Sequence, residues 1–252
     1  MTESRPEIVW GLVAAHAGTQ DRRVSVADVC AVAVRSTQVS GAWVAAASGR
    51  GPDYAMCVTD QVCERLVELQ LVLGEGPCRD LLARAAPVLA ADLDEAQFSR
   101  RWPAFTPEAR RLGVGAVFAF PLTIGAIRAG VMGLYRSSPG PLAGSQFGDG
   151  LHLADVATVL LLDGRSDGAN GRAQPAEAMM LDGKSPGLAL YRAEIDQATG
   201  MLTVQLGLTA AEAFSRLRAY AYAQDRRLAD VAGDIVARRL RLPPDPLPDG
   251  EP

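Results

Sequence analysis

Apolar residues along this chain recur first at helical spacing, then at strand spacing, then at helical spacing again. Ile8, Val9, Leu12, Val13 and His16 keep a helical period within Pro6–Ala17. Ser25 is an N-cap for a second helix, Val26–Thr37, with Val29, Cys30, Ala33 and Val34 on one face. Ala42–Ala47 and Tyr54–Thr59 read as short strands around the turn cluster Ser48–Pro52. Val62–Leu73 is the next helix and ends in Leu73-Gly74-Glu75-Gly76-Pro77-Cys78, where two Gly and a Pro stop it. Arg79–Ala85 restarts helically, and Pro87–Ala91 is a short strand. Asp92–Phe105 reads as irregular, with Trp102-Pro103 a loop over a pocket, and Pro107–Leu112 as a turn or two of helix. Ala116–Ile124 is a strongly apolar strand, paired through Gly125-Ala126 with Arg128–Tyr135. Gly148–Leu162 is a long helix.

The remainder has a different pattern. Gly164–Pro175 is rich in Gly, Asp, Asn and Arg and has linker composition, and Ala176–Leu181 has room for one helical turn. From Leu188 a helix resumes, with Tyr191, Ile195, Ala198, Leu202 and Gln205 on one face and Gly207 at its end. Thr209 and Glu212 have the spacing of a capping box. The helix after them buries Ala213, Phe214, Leu217, Tyr220 or Ala221, and Gln224. Asp225 reads as the cap of a third helix reaching Leu240, striped by Leu228, Val231, Ala232, Ile235, Val236 and Leu240. Pro243 and Pro244 open a Pro-rich acidic tail with the composition of a disordered segment. The fold class expected is α+β, a sheet with flanking helices followed by a small three-helix domain.

Charge singles out the C-terminal helices. The chain has a net charge of -4, so any nucleic-acid contact must be local. From Thr209 to Leu242 seven arginines stand against four acids, a local charge of +3. A solvated helix face accounts for such a run as readily as a ligand does. Guanidinium planes also pair with phosphate and stack on bases. Arg216, Arg218, Arg226 and Arg227 flank Tyr220 and Tyr222 in one inter-helix region.

Other chemistry is sparse. Cys30, Cys57, Cys63 and Cys78 lack zinc-site spacing, and neither His16 nor His152 lies near them in sequence. Cys30 reads as a small core residue. Cys78, beside a helix start, is the candidate redox sensor. Asp92 and Asp94 have no nucleophile–base partner, no phosphate-binding loop is present, and no catalysis is expected. The start lacks a secretory pattern and the longest apolar run, Leu153–Leu162, is broken by Asp155, so a cytoplasmic protein is expected.

Two resemblances sharpen these expectations. The Leu73–Cys78 turn, with Phe120-Pro121-Leu122 paired against Gly130-Val131-Met132-Gly133-Leu134, resembles the GAF domains of actinobacterial regulators over about Ser25 to Asp163. That resemblance implies a sensor of a small molecule or redox signal, and leaves ligand and cofactor open. The pattern Ile195-Asp-Gln-Ala198-Thr-Gly200-Met201-Leu202, then Ala213-Phe214-x-x-Leu217-Arg218-x-x-Ala221, then Arg227-Leu228-x-x-Val231-Ala232, is similar to the ANTAR domain. It implies a transcription antiterminator that binds paired hairpins in nascent leader RNA, and Ala198, Gly200, Arg218 and Ala221 fall on the most recognisable positions. Thr199 stands where many such domains carry a basic residue. RNA contact is therefore expected from Arg216, Arg218, Arg226 and Arg227, with Tyr222 the better-placed aromatic.

The expected organisation is an N-terminal helix in 1–24, a GAF-like sensor in 25–163, a linker in 164–187, an ANTAR-like domain in 188–242 and a tail in 243–252. So small a helical core is marginal alone and suits stabilisation by dimerisation or by docking on the sensor; the expected homodimer juxtaposes two RNA-binding units. The alternative is a ligand-sensing signalling protein whose C-terminal helices bind a protein partner. A DNA-binding helix-turn-helix is a third reading, without an obvious base-reading Asn or Gln.

Overall fold

Two long apolar strands joined by a tight turn organise the N-terminal unit of this computed structural model, which describes residues 4–21, 23–47, 54–84, 86–169 and 186–243. They are β4 (Ala116–Ile124) and β5 (Ile127–Arg136), paired antiparallel from Ala116↔Arg136 to Ile124↔Ile127. β1 (Gly41–Ala46) pairs with the other side of β5, β2 (Tyr54–Val58) with β1, and β3 (Val88–Ala90) with β4. The sheet order is β2-β1-β5-β4-β3 and every pairing is antiparallel.

Helices cover both faces, so the central strands are apolar throughout and do not alternate with polar residues. Ala116, Phe118, Phe120 and Leu122 share one core with α1 (Arg5–Gly18), α2 (Val26–Ser36) and α7 (Gly144–Ala169). Val117 and Ala119 face the second core, shared with α3 (Gln61–Leu73), α4 (Pro77–Arg84), α5 (Ala96–Arg101) and α6 (Phe105–Arg111). This is the α+β arrangement expected from the sequence. Ser25 does cap α2, and its amide donates to the buried Asp28 carboxylate at 2.9 Å.

At the centre of the sheet Trp43 lies across Gly133, its register partner. A Cβ at position 133 would sit 2.1 Å from the Trp43 ring, so the indole comes this close to the strand only because that residue is glycine.

Three expectations are corrected here. Asp92–Phe105 is not wholly irregular, since α5 lies within it. Trp102 is no loop over a pocket: it is fully buried, stacks on Phe98 at 5.3 Å, meets Phe105 edge-on and donates to Asp80 at 3.2 Å. The long helix α7 begins before Gly148 and runs beyond Leu162 to Ala169. The expected turn at Ser48–Pro52, the turn at Ala176–Leu181 and the tail from Pro244 lie outside the described residues.

The chain divides into two compact units at Leu188 and Ala189. The C-terminal unit is formed by α8 (Pro186–Leu206), α9 (Ala210–Ala223) and α10 (Leu228–Val236).

All three tryptophans (10, 43 and 102) lie in the N-terminal unit, so tryptophan fluorescence reports its unfolding alone. Gly133→Ala forces Trp43 off the sheet and is expected to lower stability by about 1–3 kcal/mol, the usual effect of overpacking. Urea unfolding followed by that fluorescence measures it, and an unchanged midpoint would refute the close approach.

Candidate functional site

The inner faces of the C-terminal helices come first, because they fix which side chains point outward. α8 buries Ile195, Ala198 and Leu202; α9 buries Ala213, Leu217 and Ala221; α10 buries Leu228, Val231, Ala232 and Ile235. α9 starts at the capping box read from the sequence. The Glu212 amide donates to Thr209 Oγ1 at 3.3 Å, and Glu212 Oε2 accepts from the Thr209 amide at 2.8 Å. The Thr209 hydroxyl and amide together hold the Glu212 carboxyl below its usual pKa.

α10 departs from expectation at both ends. Its N-cap is Arg227, because Asp225 adopts a left-handed backbone (φ 48°) and closes the preceding turn. It stops at Val236 and does not reach Leu240, and Arg238 is left-handed two residues later (φ 58°).

The expected RNA-binding residues fall into three groups. Ala198 and Ala221 have no exposed surface, so they pack helices together and do not present a contact surface. Gly200 is exposed, with open space where a Cβ would be. The third group is half-buried or exposed, and beside it Phe214, expected on the inner face, is only half-buried. Phe214, Arg218 and Tyr222 follow each other at i, i+4 and i+8 along α9, which places them on one face. The Arg218 guanidinium sits 5.5 Å over the Phe214 ring, and Tyr222 is 62% exposed. Arg216 Nη2 donates to the Pro243 carbonyl at 3.2 Å. Arg227 is half-buried at the start of α10. Thr199 turns its hydroxyl back to the Ile195 carbonyl at 2.7 Å.

Arg226 is drawn away from this row. Its Nη2 meets Asp234 Oδ2 at 2.6 Å, and Arg239 Nε meets Oδ1 of the same carboxylate at 2.8 Å. Hydrogen bonds from Arg226 and then Arg239 hold the Asp234 carboxyl below the usual aspartate range. Asp234 and Arg239 carried no motif signal, because Arg226, Asp234 and Arg239 meet only once the chain turns after Val236.

In the N-terminal unit the Leu73–Cys78 turn is a structural knot. Gly74 and Gly76 have positive φ (72° and 123°), and Glu75 Oε1 accepts from the Ala104 and Phe105 amides at 2.7 Å, capping α6. The Cys78 amide donates to Gln70 Oε1 at 2.7 Å, and the buried Cys78 side chain lines a cavity with Trp43, Val67, Gln70, Leu71 and Val131. The cavity is about 30 Å³, the share of one water in the liquid. Organic ligands usually occupy pockets of several hundred Å³, so this cavity is small for one as it stands. All four cysteines are free thiols. A hydrogen bond with Cys57, then burial, pushes the Cys30 thiol far up, and burial followed by Asp60 does the same to Cys63. Among the described residues no group of three or more His, Cys, Asp or Glu side chains can hold a metal ion, and no helix is long and apolar enough to cross a membrane.

The ANTAR domain profile matches residues 190–236, the three C-terminal helices. Among solved structures the chain is similar to the GAF domain of a phosphoenolpyruvate-protein phosphotransferase from Coxiella burnetii (14% identity, TM-score 0.48, 66% of this chain and 99% of that one). It is also similar to the corresponding GAF domain from Acinetobacter (13%, 0.49, 67% and 99%). A third is the GAF-B domain of DevS from Mycobacterium smegmatis (21%, 0.42, 56% and 93%). No curated protein matches the chain by sequence. The architecture is an α+β unit with an antiparallel five-stranded sheet, followed by a three-helix unit that the ANTAR domain profile matches.

The Asp234 pairing has a pH signature. Its folded pKa is depressed, so its contribution is full above the unfolded value of about 3.9 and is lost as pH falls through the lower folded value. Carboxyl-carbon NMR is expected to place its midpoint below that of a free aspartate, and Arg226→Ala with Arg239→Ala to return it. A midpoint insensitive to both substitutions contradicts the pairing.

Proposed function

We propose that this chain is an RNA-binding transcription regulator of the actinobacterial GAF and ANTAR type, a cytoplasmic homodimer rather than an enzyme. It acts as an antiterminator by holding hairpins in nascent leader RNA. A GAF-like sensor in residues 25–163 controls an RNA-binding module in 188–242. The observation that carries this reading is the Phe214–Arg218–Tyr222 row, inside the segment matched by the ANTAR domain profile. Hairpin loops expose unstacked bases, and an aromatic beside a stacked guanidinium is a surface on which such bases stack. Arg216 and Arg227 supply phosphate contacts around it, and Arg226 supplies one from its place beside Asp234. The exposed Gly200 lets the RNA backbone approach α8. Ala198 and Ala221 serve the interface by packing α8 and α9. The sensor takes a small ligand or a redox signal beside Cys78, after displacement of the side chains that fill the cavity.

One observation favours the alternative, a protein partner on these helices. Val204 on α8 is 86% exposed, which is unusual for an apolar side chain outside an interface.

Arg218→Ala is expected to weaken binding to a tandem-hairpin RNA by about 1–3 kcal/mol, the usual loss of one stacking platform. The wild type is expected to show a steep negative salt slope. Fluorescence anisotropy across a salt series measures both, with circular dichroism confirming the fold. Salt-independent or absent binding by a folded chain would favour the protein-partner reading.

Gly200→Ala separates stability from binding. The methyl group has room, and alanine in place of an exposed helical glycine is expected to raise stability by about 0.5–1 kcal/mol. RNA affinity is expected to fall. A stabilised variant with full affinity would remove Gly200 from the interface.

A further inference from the structure

We infer that the basic turn after α10, Arg238–Arg241, is a second contact element for RNA phosphates, built together with Arg226. It lies beyond residue 236, where the matched domain ends, so the domain pattern does not assign it. The inference rests on the RNA-binding reading above and deepens it.

The turn is a built structure. The Arg238 amide donates to the Ile235 carbonyl at 2.9 Å, and the amides of Arg239 and Leu240 both donate to the Asp234 carbonyl at 2.8 and 3.1 Å. Arg238 is left-handed, a conformation that side-chain-bearing residues adopt at a cost and that here directs the chain back onto the module. Leu242 is then fully buried, Gln205 Nε2 donates to the Leu242 carbonyl at 2.7 Å, and Arg216 Nη2 to the Pro243 carbonyl at 3.2 Å. The segment is thus fixed to both α8 and α9.

Its charge is one-sided. Residues 235–243 contain three arginines and no acid. Arg238 and Arg241 are exposed, and the Arg239 side chain is 67% exposed. A cation after a helix C-terminus is ordinarily explained by the helix dipole. That does not account for Arg226, which precedes α10 yet shares the Asp234 carboxylate with Arg239. One carboxylate gathering two guanidiniums leaves a net positive pair whose orientation is set before any ligand arrives. Pre-oriented guanidinium forks suit bidentate pairing with phosphate oxygens. Asp234 is in this account a positioning residue. The ligand class is the phosphodiester backbone, which contributes affinity and not sequence preference.

The test uses the full chain and two labelled probes, a tandem-hairpin RNA and a blunt RNA duplex without loops. Arg238→Ala with Arg241→Ala alters two exposed side chains, and circular dichroism verifies folding. The double variant is expected to reduce the slope of log affinity against log salt by about 1.4–1.8 units, the loss of two phosphate contacts, and to do so for both probes. Arg218→Ala is expected to weaken the hairpin probe selectively. If the double variant keeps the wild-type slope on both probes while Arg218→Ala weakens hairpin binding, this inference is overturned and the proposed function stands. If the wild type binds neither probe with a salt dependence, both fall.

Discussion

Small side chains set how closely the three C-terminal helices can approach. Ala198, Ala213, Ala221 and Ala232 all lie on the inner faces with no exposed surface. Interaxial distance follows the size of the side chains at the crossing, so these alanines put little side-chain bulk between the helices. With Ala213, Leu217 and Ala221 inward, Phe214 and Arg218 are left half-buried at the margin of that face and Tyr222 is exposed. A bulkier residue at any of these alanines would displace the helix and the row with it. Ala198 and Ala221 are therefore inner-face residues with no surface to offer a ligand.

The N-terminal unit obeys a different constraint. Its strands β1, β4 and β5 are apolar on both faces because helices cover both. Trp43 occupies the space over Gly133, and the cavity left beside Cys78, Gln70 and Leu71 is about 30 Å³. The Leu73–Cys78 turn ties α3, α4 and α6 together through Gln70 and Glu75. A displacement of α4 would therefore act on α3 and α6 as well.

Local signals were legible in the sequence and tertiary ones were not. The Thr209–Glu212 capping box, the Ser25 cap and the Ala116–Tyr135 hairpin all depend on residues a few positions apart, and the structure has each of them. The start of α10 was misplaced because Asp at position 225 is a good cap by type, yet asparagine and aspartate also tolerate the left-handed backbone that closes a turn. Its end was misplaced because the apolar stripe continues to Leu240 although the helix has turned off at Arg238. Trp102 reads as a loop residue next to Pro103, but its partners Phe98 and Asp80 make it a core plug. In the candidate interface, the arginines were visible as a charge excess. Which of them Asp234 would collect was not, because Arg226 and Arg239 are thirteen residues apart and meet only across the fold.

The central claim is that this chain recognises hairpin RNA through its C-terminal helices. Sequencing the RNAs cross-linked to the protein in its own cells tests that claim most directly. The account predicts enrichment of leader segments that fold as two adjacent hairpins ahead of a terminator, lost when Arg218 and Tyr222 are both replaced by alanine. Recovery of no RNA above background, or of the same RNAs with the doubly substituted protein, would contradict it.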